Sequence, residues 1–137
     1  MDTLQAAILR VKLRKLAEWN EARRKNADLY DKLLGEIGVK TIKILAFTEP
    51  VRHVYAIRLA NRDELSEYLK KKGVSTGVHY PVPLHLQKAF AHLGGKKGDF
   101  PAAEKIASEI LSLPIYPELK ESEIRKIVGH VRKFLKK

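Results

Sequence analysis

Val51-Arg52-His53-Val54-Tyr55-Ala56-Ile57-Arg58-Leu59 alternates along its length, with Val51, His53, Tyr55, Ile57 and Leu59 on one side and Arg52, Val54, Ala56 and Arg58 on the other. A two-residue period of this kind predicts a strand over residues 51–59. Just beyond it, Asn61 and Glu64 have the spacing of a capping box. Leu65, Tyr68 and Leu69 then supply the apolar stripe of a helix over residues 62–72, which Gly73 should stop. Alternation resumes with Val74, Thr76, Val78 and Tyr80 on one side of a second expected strand, 74–80. Pro81 and Pro83 end it, because neither can donate to a sheet ladder. Short strands interleaved with helices set the class as α+β, a small, mainly antiparallel sheet covered by helices.

Upstream, Leu4, Ile8, Val11, Trp19, Ala22, Tyr30, Leu33 and Ile37 recur at helical spacing, and Leu9, Leu13 and Leu16 form a second row. The pattern predicts one long amphipathic helix over residues 1–37, capped by Asp2 or Thr3 and ended by Gly35 or Gly38. Its first turns are apolar on two sides and expect a partner surface. Residues 39–50 read as irregular. Downstream, a short helix is expected over 84–93, a glycine loop at Gly94, Gly95 and Gly98, and a helix opened by Asp99 and Pro101. The inward face of that last helix would be Ala103, Ile106, Ala107 and Ile110. A third short strand is expected over 113–116, and the final helix carries the stripe Ile124, Ile127, Val128, Val131, Phe134 and Leu135. The sheet would then comprise 51–59, 74–80 and 113–116, in a single domain over 1–137 whose α+β part proper is 51–137.

At 137 residues, 45% apolar and 31% charged, the composition is that of a globular domain rather than a disordered chain. No apolar run approaches the roughly 20 residues that span a bilayer, and Arg10 and Lys12 interrupt anything like a signal peptide. The absence of cysteine rules out disulfides and thiol nucleophiles, and makes a cytoplasmic location the expectation. Few amides, a single methionine and abundant Lys and Glu fit a heat-adapted source.

The balance of 27 Lys and Arg against 16 Asp and Glu gives a net charge of +11. A charge of that size raises a second reading, a small basic nucleic-acid-binding or regulatory protein using Arg10, Lys12, Arg14, Lys15, Arg23, Arg24 and Lys25. Against it, the excess is spread along the whole chain, and aromatic residues make up only 7%. No stacking platform interleaves with the basic residues, so only non-specific, salt-sensitive binding is expected.

His53, His79, His85, His92 and His130 show no metal-binding spacing, and no nucleophile elbow, dinucleotide fingerprint or P-loop occurs. Gly94-Gly95-Lys96-Lys97-Gly98 reads as a turn with solvated lysines. Thr76-Gly77-Val78-His79-Tyr80-Pro81-Val82-Pro83-Leu84-His85 stands apart, with two imidazoles and a phenol among rigid prolines at a strand end. Either it aims polar groups at a ligand or it is a rigid turn with surface histidines. Strand alternation would put His79 and Tyr80 on opposite faces.

Met1 to Leu9 with Trp19-Asn20-Glu21-Ala22-Arg23-Arg24 is similar to the segment opening the second half of the DegT/StrS-type aminotransferase family. His79-Tyr80-Pro81-Val82-Pro83-Leu84-His85, followed by Gln87, matches its H-Y-P-x-P-x-H cluster. Phe100-Pro101-Ala102-Ala103-Glu104 and Leu111-Ser112-Leu113-Pro114-Ile115-Tyr116-Pro117 match its later signature. The resemblance covers essentially the whole chain. It implies a fold-type-I homodimer in which pyridoxal phosphate moves an amino group, usually from glutamate, onto a nucleotide-linked keto sugar. The large N-terminal domain of that family holds the cofactor and its Schiff-base lysine, while the small domain closes the substrate side. Because the match begins at Met1, inside the motif, the large domain is expected to lie outside this chain or to be separately encoded. No lysine here inherits its role, and the chain alone is expected to hold no cofactor and to be inactive. By carry-over His79, Tyr80 and His85 are the candidate substrate contacts, with no catalytic residue and no metal ligand assigned. The expected partners are the large domain or a second copy of the chain.

Overall fold

Burial of Tyr55 and Ile57, both fully enclosed, sets the centre of the molecule. In the computed structural model, which describes residues 1–136, they lie on β2 (Tyr55–Arg58), the middle strand of a three-stranded antiparallel sheet. β1 (Lys40–Thr41) pairs along one edge, with Lys40 opposite Arg58, and β3 (Ile110–Leu113) along the other. Tyr55 faces Leu113 and Ile57 faces Leu111.

The sheet differs from the expected one in three respects. First, the alternating stretch 51–59 pairs only at 55–58, because Arg52 turns through the left-handed region at φ 58°. Asp31 explains that turn: one carboxylate oxygen accepts from Arg52 Nη2 at 2.6 Å and the other from the Tyr55 hydroxyl at 2.6 Å. Second, residues 74–80 form no strand. Only Gly77 joins the sheet, exchanging bonds with Ser112 at 3.1 and 2.7 Å. Val74 instead returns its N–H to Leu69 as the preceding helix closes, and Thr76 bonds Ser66. The third strand is instead Lys40–Thr41, on the opposite edge of the sheet beside β2 and too short to leave an alternating signature. Third, β3 begins at Ile110 and stops at Leu113 rather than running 113–116, since Pro114 has no N–H to continue a ladder.

The long N-terminal helix is two helices, α1 (Thr3–Leu13) and α2 (Leu16–Gly35), parted at Arg14 and Lys15, where Lys15 bonds back to Lys12. Neither proline nor glycine marks the break. Asp2 caps α1 through the Gln5 amide, as expected. α2 buries Ala27, Tyr30, Leu33 and Leu34. α3 (Arg62–Lys71) buries Leu65 and Leu69, and Gly73, at φ 76°, ends it. The Asn61 side chain forms no cap. Arg62 instead reaches across to the carbonyls of Ala107 and Ile110. The expected helix over 84–93 is a pair of tight 3₁₀ turns, Leu84–Leu86 and Lys88–Leu93. α4 (Pro101–Glu109) starts on its proline and hands directly into β3. α5 (Glu121–Leu135) buries Ile124, Ile127, Val128 and Val131 against α2 and α3. Among the described residues no helix is long and apolar enough to cross a membrane.

Two outcomes follow from this packing. Ile124 is fully buried, so Ile124→Ala should remove about 2–5 kcal/mol of stability, read by urea denaturation. His130 on α5 has an enclosed Nε2 with no partner. Burial first, then Lys126, Lys133 and Lys72, hold its pKa below the ordinary 6.5. Between that lowered value and 6.5 the unfolded chain binds a proton that the folded chain refuses, so stability rises with pH through this window. Substituting His130→Leu should flatten the rise that lies just below the ordinary 6.5. The fall in stability below the ordinary 4.5 of Glu104 and Glu109, both of whose pKa values are lowered, should remain. Denaturation midpoints across pH check both statements.

Candidate functional site

After its bridge at Gly77 the chain turns away from the sheet, and two glycines let it do so at close quarters. A Cβ on Gly77 would lie 2.8 Å from His79 Cε1, so the imidazole packs over bare backbone. His79 Nδ1 sits 2.9 Å from the hydroxyl of Ser112, the one buried polar residue among those described. Tyr80 follows with its ring edge-on to His79, 5.7 Å between centroids, and is 75% exposed. The expectation that these two residues face opposite ways is therefore corrected. Without strand geometry beyond Gly77, both line the same depression.

Pro81, Val82 and Pro83 carry the chain to His85, whose Nε2 is 3.0 Å from Glu104 Oε1 on α4. The same carboxylate oxygen accepts the Gly98 amide at 2.8 Å. That amide, with His85 and the Phe100 amide, holds the Glu104 carboxyl below its usual range against the opposing effect of burial. Phe100 lies against the His85 ring at 4.8 Å. Gly95 backs the clamp: a Cβ there would stand 2.9 Å from the His85 carbonyl oxygen. His85 is thus fixed in the wall, with only Nδ1 uncommitted.

The depression so formed is about 530 Å³. His79, Tyr80, His85 and Gln87 supply its polar groups, and Val82, Pro83, Leu84, Phe100, Ile106 and Ile110 much of its apolar wall. The arrangement can orient a partly polar ligand by a few hydrogen bonds while apolar surface excludes water. It does not fit a cofactor bound through a lysine imine. No lysine lines it, and every lysine among the described residues is exposed. His53, His92 and His130 lie outside it.

The basic residues of the second reading are not a free stripe. Arg23 donates to the Ile115 carbonyl at 3.0 Å, and Arg24 is paired with Glu21 and Glu49 at 2.9 and 3.6 Å. Lys15 pairs with Glu18. Ser112 and Glu104 lie inside the motifs Leu111–Pro117 and Phe100–Glu104, but nothing in their spacing announces which histidine each meets. The one local hint was a lone serine between Leu111 and Leu113.

Comparison with known proteins gives a consistent result. Residues 1–132 match the DegT/DnrJ/EryC1/StrS aminotransferase family. A pleiotropic regulatory protein of Geobacillus stearothermophilus is 49% identical over 137 residues, covering 98% of this chain and 37% of that protein. A dTDP-3-amino-3,4,6-trideoxy-alpha-D-glucose transaminase of Streptomyces venezuelae is 38% identical over 135 residues, with 98% and 36% covered. The crystal structure of S. venezuelae DesV in complex with a ketimine intermediate superposes with a TM-score of 0.95 at 36% identity, over 100% of this chain and 37% of that one. A Brucella abortus aminotransferase structure gives 0.91 at 38% identity, with 100% and 36% covered. The chain therefore spans little more than a third of the length of these relatives.

The clamp yields a paired test. Gly95→Ala must displace the His85 backbone and should destabilise the protein by about 1–3 kcal/mol. Gly129→Ala, mid-helix with nothing within 4 Å, should stabilise it by about 0.5–1 kcal/mol. Thermal denaturation of the two variants reads both signs.

Proposed function

Because this chain belongs to the DegT/DnrJ/EryC1/StrS aminotransferase family, we propose that it is the small, substrate-side domain of a pyridoxal-phosphate-dependent aminotransferase acting on a nucleotide-linked keto sugar. The single observation that carries the reading is the convergence of His79, Tyr80 and Gln87 on one apolar-walled depression, built from the segments that resemble the family. Pyridoxal phosphate supplies the amino-group chemistry of such enzymes, and glutamate is the donor proposed. The residues of this chain contribute binding and orientation. His79 and Tyr80 contact polar groups of the sugar, His85 contributes Nδ1, and the wall around Phe100 and Ile106 excludes water.

The cofactor and its lysine belong, in this reading, to a large domain outside these 137 residues. α1 is where that domain, or a second copy of this chain, would dock. Leu4, Ile8, Leu9, Val11 and Leu13 are all at least half exposed there, and α1 buries nothing. The whole chain then acts as one domain, with α1 as the arm that joins it to the rest and α2 part of its core.

The test has two arms. Mixed with pyridoxal phosphate, the chain alone should give no stoichiometric imine absorbance. A band that borohydride fixes onto one lysine of this chain would overturn the reading. Completed with a family large domain, the enzyme should transaminate. His79→Ala and Tyr80→Phe should each then lower kcat/KM roughly two- to tenfold, the size of one lost neutral hydrogen bond. Unchanged kinetics in both variants would remove these residues from the site.

A further inference from the structure

We propose that Ser112 is a positioning residue for His79, fixing the imidazole in the tautomer that carries its proton on Nε2 and so presents a hydrogen-bond donor to the depression. The functional half of this inference rests on the reading of His79 as a substrate contact; the positioning half rests on geometry alone.

The argument begins with the serine. Ser112 sits on β3 between Leu111 and Leu113, is only 5% exposed, and has its backbone paired with Gly77 and Ala56. Its hydroxyl has one partner among the described residues, His79 Nδ1 at 2.9 Å. A buried hydroxyl hydrogen with one acceptor in reach must point at that acceptor, because leaving it unpaired costs more than the bond itself gains. The Ser112 hydroxyl therefore donates, Nδ1 accepts, and in the neutral ring the proton lies on Nε2. Were Nδ1 to carry the proton instead, the hydroxyl hydrogen would have no destination.

Gly77 makes the contact possible. It is the residue opposite Ser112, and its missing Cβ leaves the 2.8 Å approach that the His79 ring occupies. The glycine lays the ring down and the serine turns it. What results is a donor of defined direction beside the Tyr80 ring, on the rim of the depression. The groups suited to it are acceptors: a keto or hydroxyl oxygen of a sugar, or a phosphoryl oxygen of a sugar nucleotide. A second donor in the ligand would find Nε2–H repelling it.

Long-range 1H–15N correlation of the imidazoles in the uniformly labelled chain, at a pH where they are neutral, reads the tautomer directly. The wild-type chain should show His79 as a single Nε2–H form. Ser112→Ala should give an averaged pattern, and Ser112→Thr, which keeps the hydroxyl, should restore the single form. Gly77→Ala, which leaves the serine intact but pushes the ring away, should give averaging again, so the test survives if Ser112→Ala does not fold. The His130 signals serve as the folding control. A wild-type Nδ1–H pattern, or a pattern unmoved by both Ser112→Ala and Gly77→Ala, overturns the proposal. With the large domain supplied, uridine diphosphate glucose as probe should shift the His79 signals. If the tautomer behaves as stated and the probe leaves His79 unmoved, the substrate reading of His79 falls while the positioning by Ser112 stands.

Discussion

Where β3 ends, three successive carbonyls need partners that no strand can supply, and α2 supplies them. Tyr30 donates its hydroxyl to Pro114 at 3.1 Å, Arg23 its guanidinium to Ile115 at 3.0 Å, and Asn26 its amide to Tyr116 at 3.0 Å. Residues 23, 26 and 30 share one face of the helix at the i, i+3, i+7 spacing. Pro114 and Pro117 have already removed the option of continuing the ladder, so this segment is held by side chains or by nothing. Tyr30 also stacks on Tyr55 at 4.7 Å, which ties the same helix to the central strand. Burial raises the pKa of both phenols, by the same desolvation that makes their hydroxyl bonds hard to give up.

The candidate site hangs from this arrangement. β3 is gripped at one end by α2, through residues 114–116, and at the other by Arg62, through the Ala107 and Ile110 carbonyls. Ser112 sits between the two grips and offers one hydroxyl to His79. On the far side α4 offers Glu104 to His85. Each histidine is thus oriented by a group on a regular element, even though the segment carrying both histidines has no more regular structure than one 3₁₀ turn at Leu84–Leu86. A rigid scaffold aiming polar groups from a loop is the general economy of binding sites.

Charge and apolar exposure tell a second story about the N-terminal arm. The basic residues clustered there are divided among different tasks. Arg23 serves the fold, Arg24 is neutralised by Glu21 and Glu49, and those on α1 ride on a helix that buries nothing. A helix of this length is marginal in water without an apolar face to cover. α1 keeps its apolar residues outward and so gains no stability from covering the core.

The sequence by itself determined the class of fold, the core and the segment that matters. Tyr55, Ile57, Leu65, Leu69 and, on α5, Ile124, Ile127, Val128 and Val131 are buried where their periodicity put them, because a period of two or of 3.6 fixes which side chains share a face, while Leu135 at the end of that stripe is exposed. It also singled out residues 76–85, for two imidazoles and a phenol set among rigid prolines. It misjudged the sheet, since a two-residue strand carries no period and since Val74 and Val78 can meet the core without pairing. It could not foresee the break at Arg14 and Lys15, which no residue type marks. Only the tertiary structure decided that Gly77, rather than a whole strand, would face Ser112, and that His79 and Tyr80 would turn to the same side. Those outcomes depend on contacts between residues 33 and more positions apart, where the deciding quantity is the fit of one imidazole over a bare glycine and under one hydroxyl. Local patterning has no access to that fit, because it is set by how β3 and the turning chain pack together.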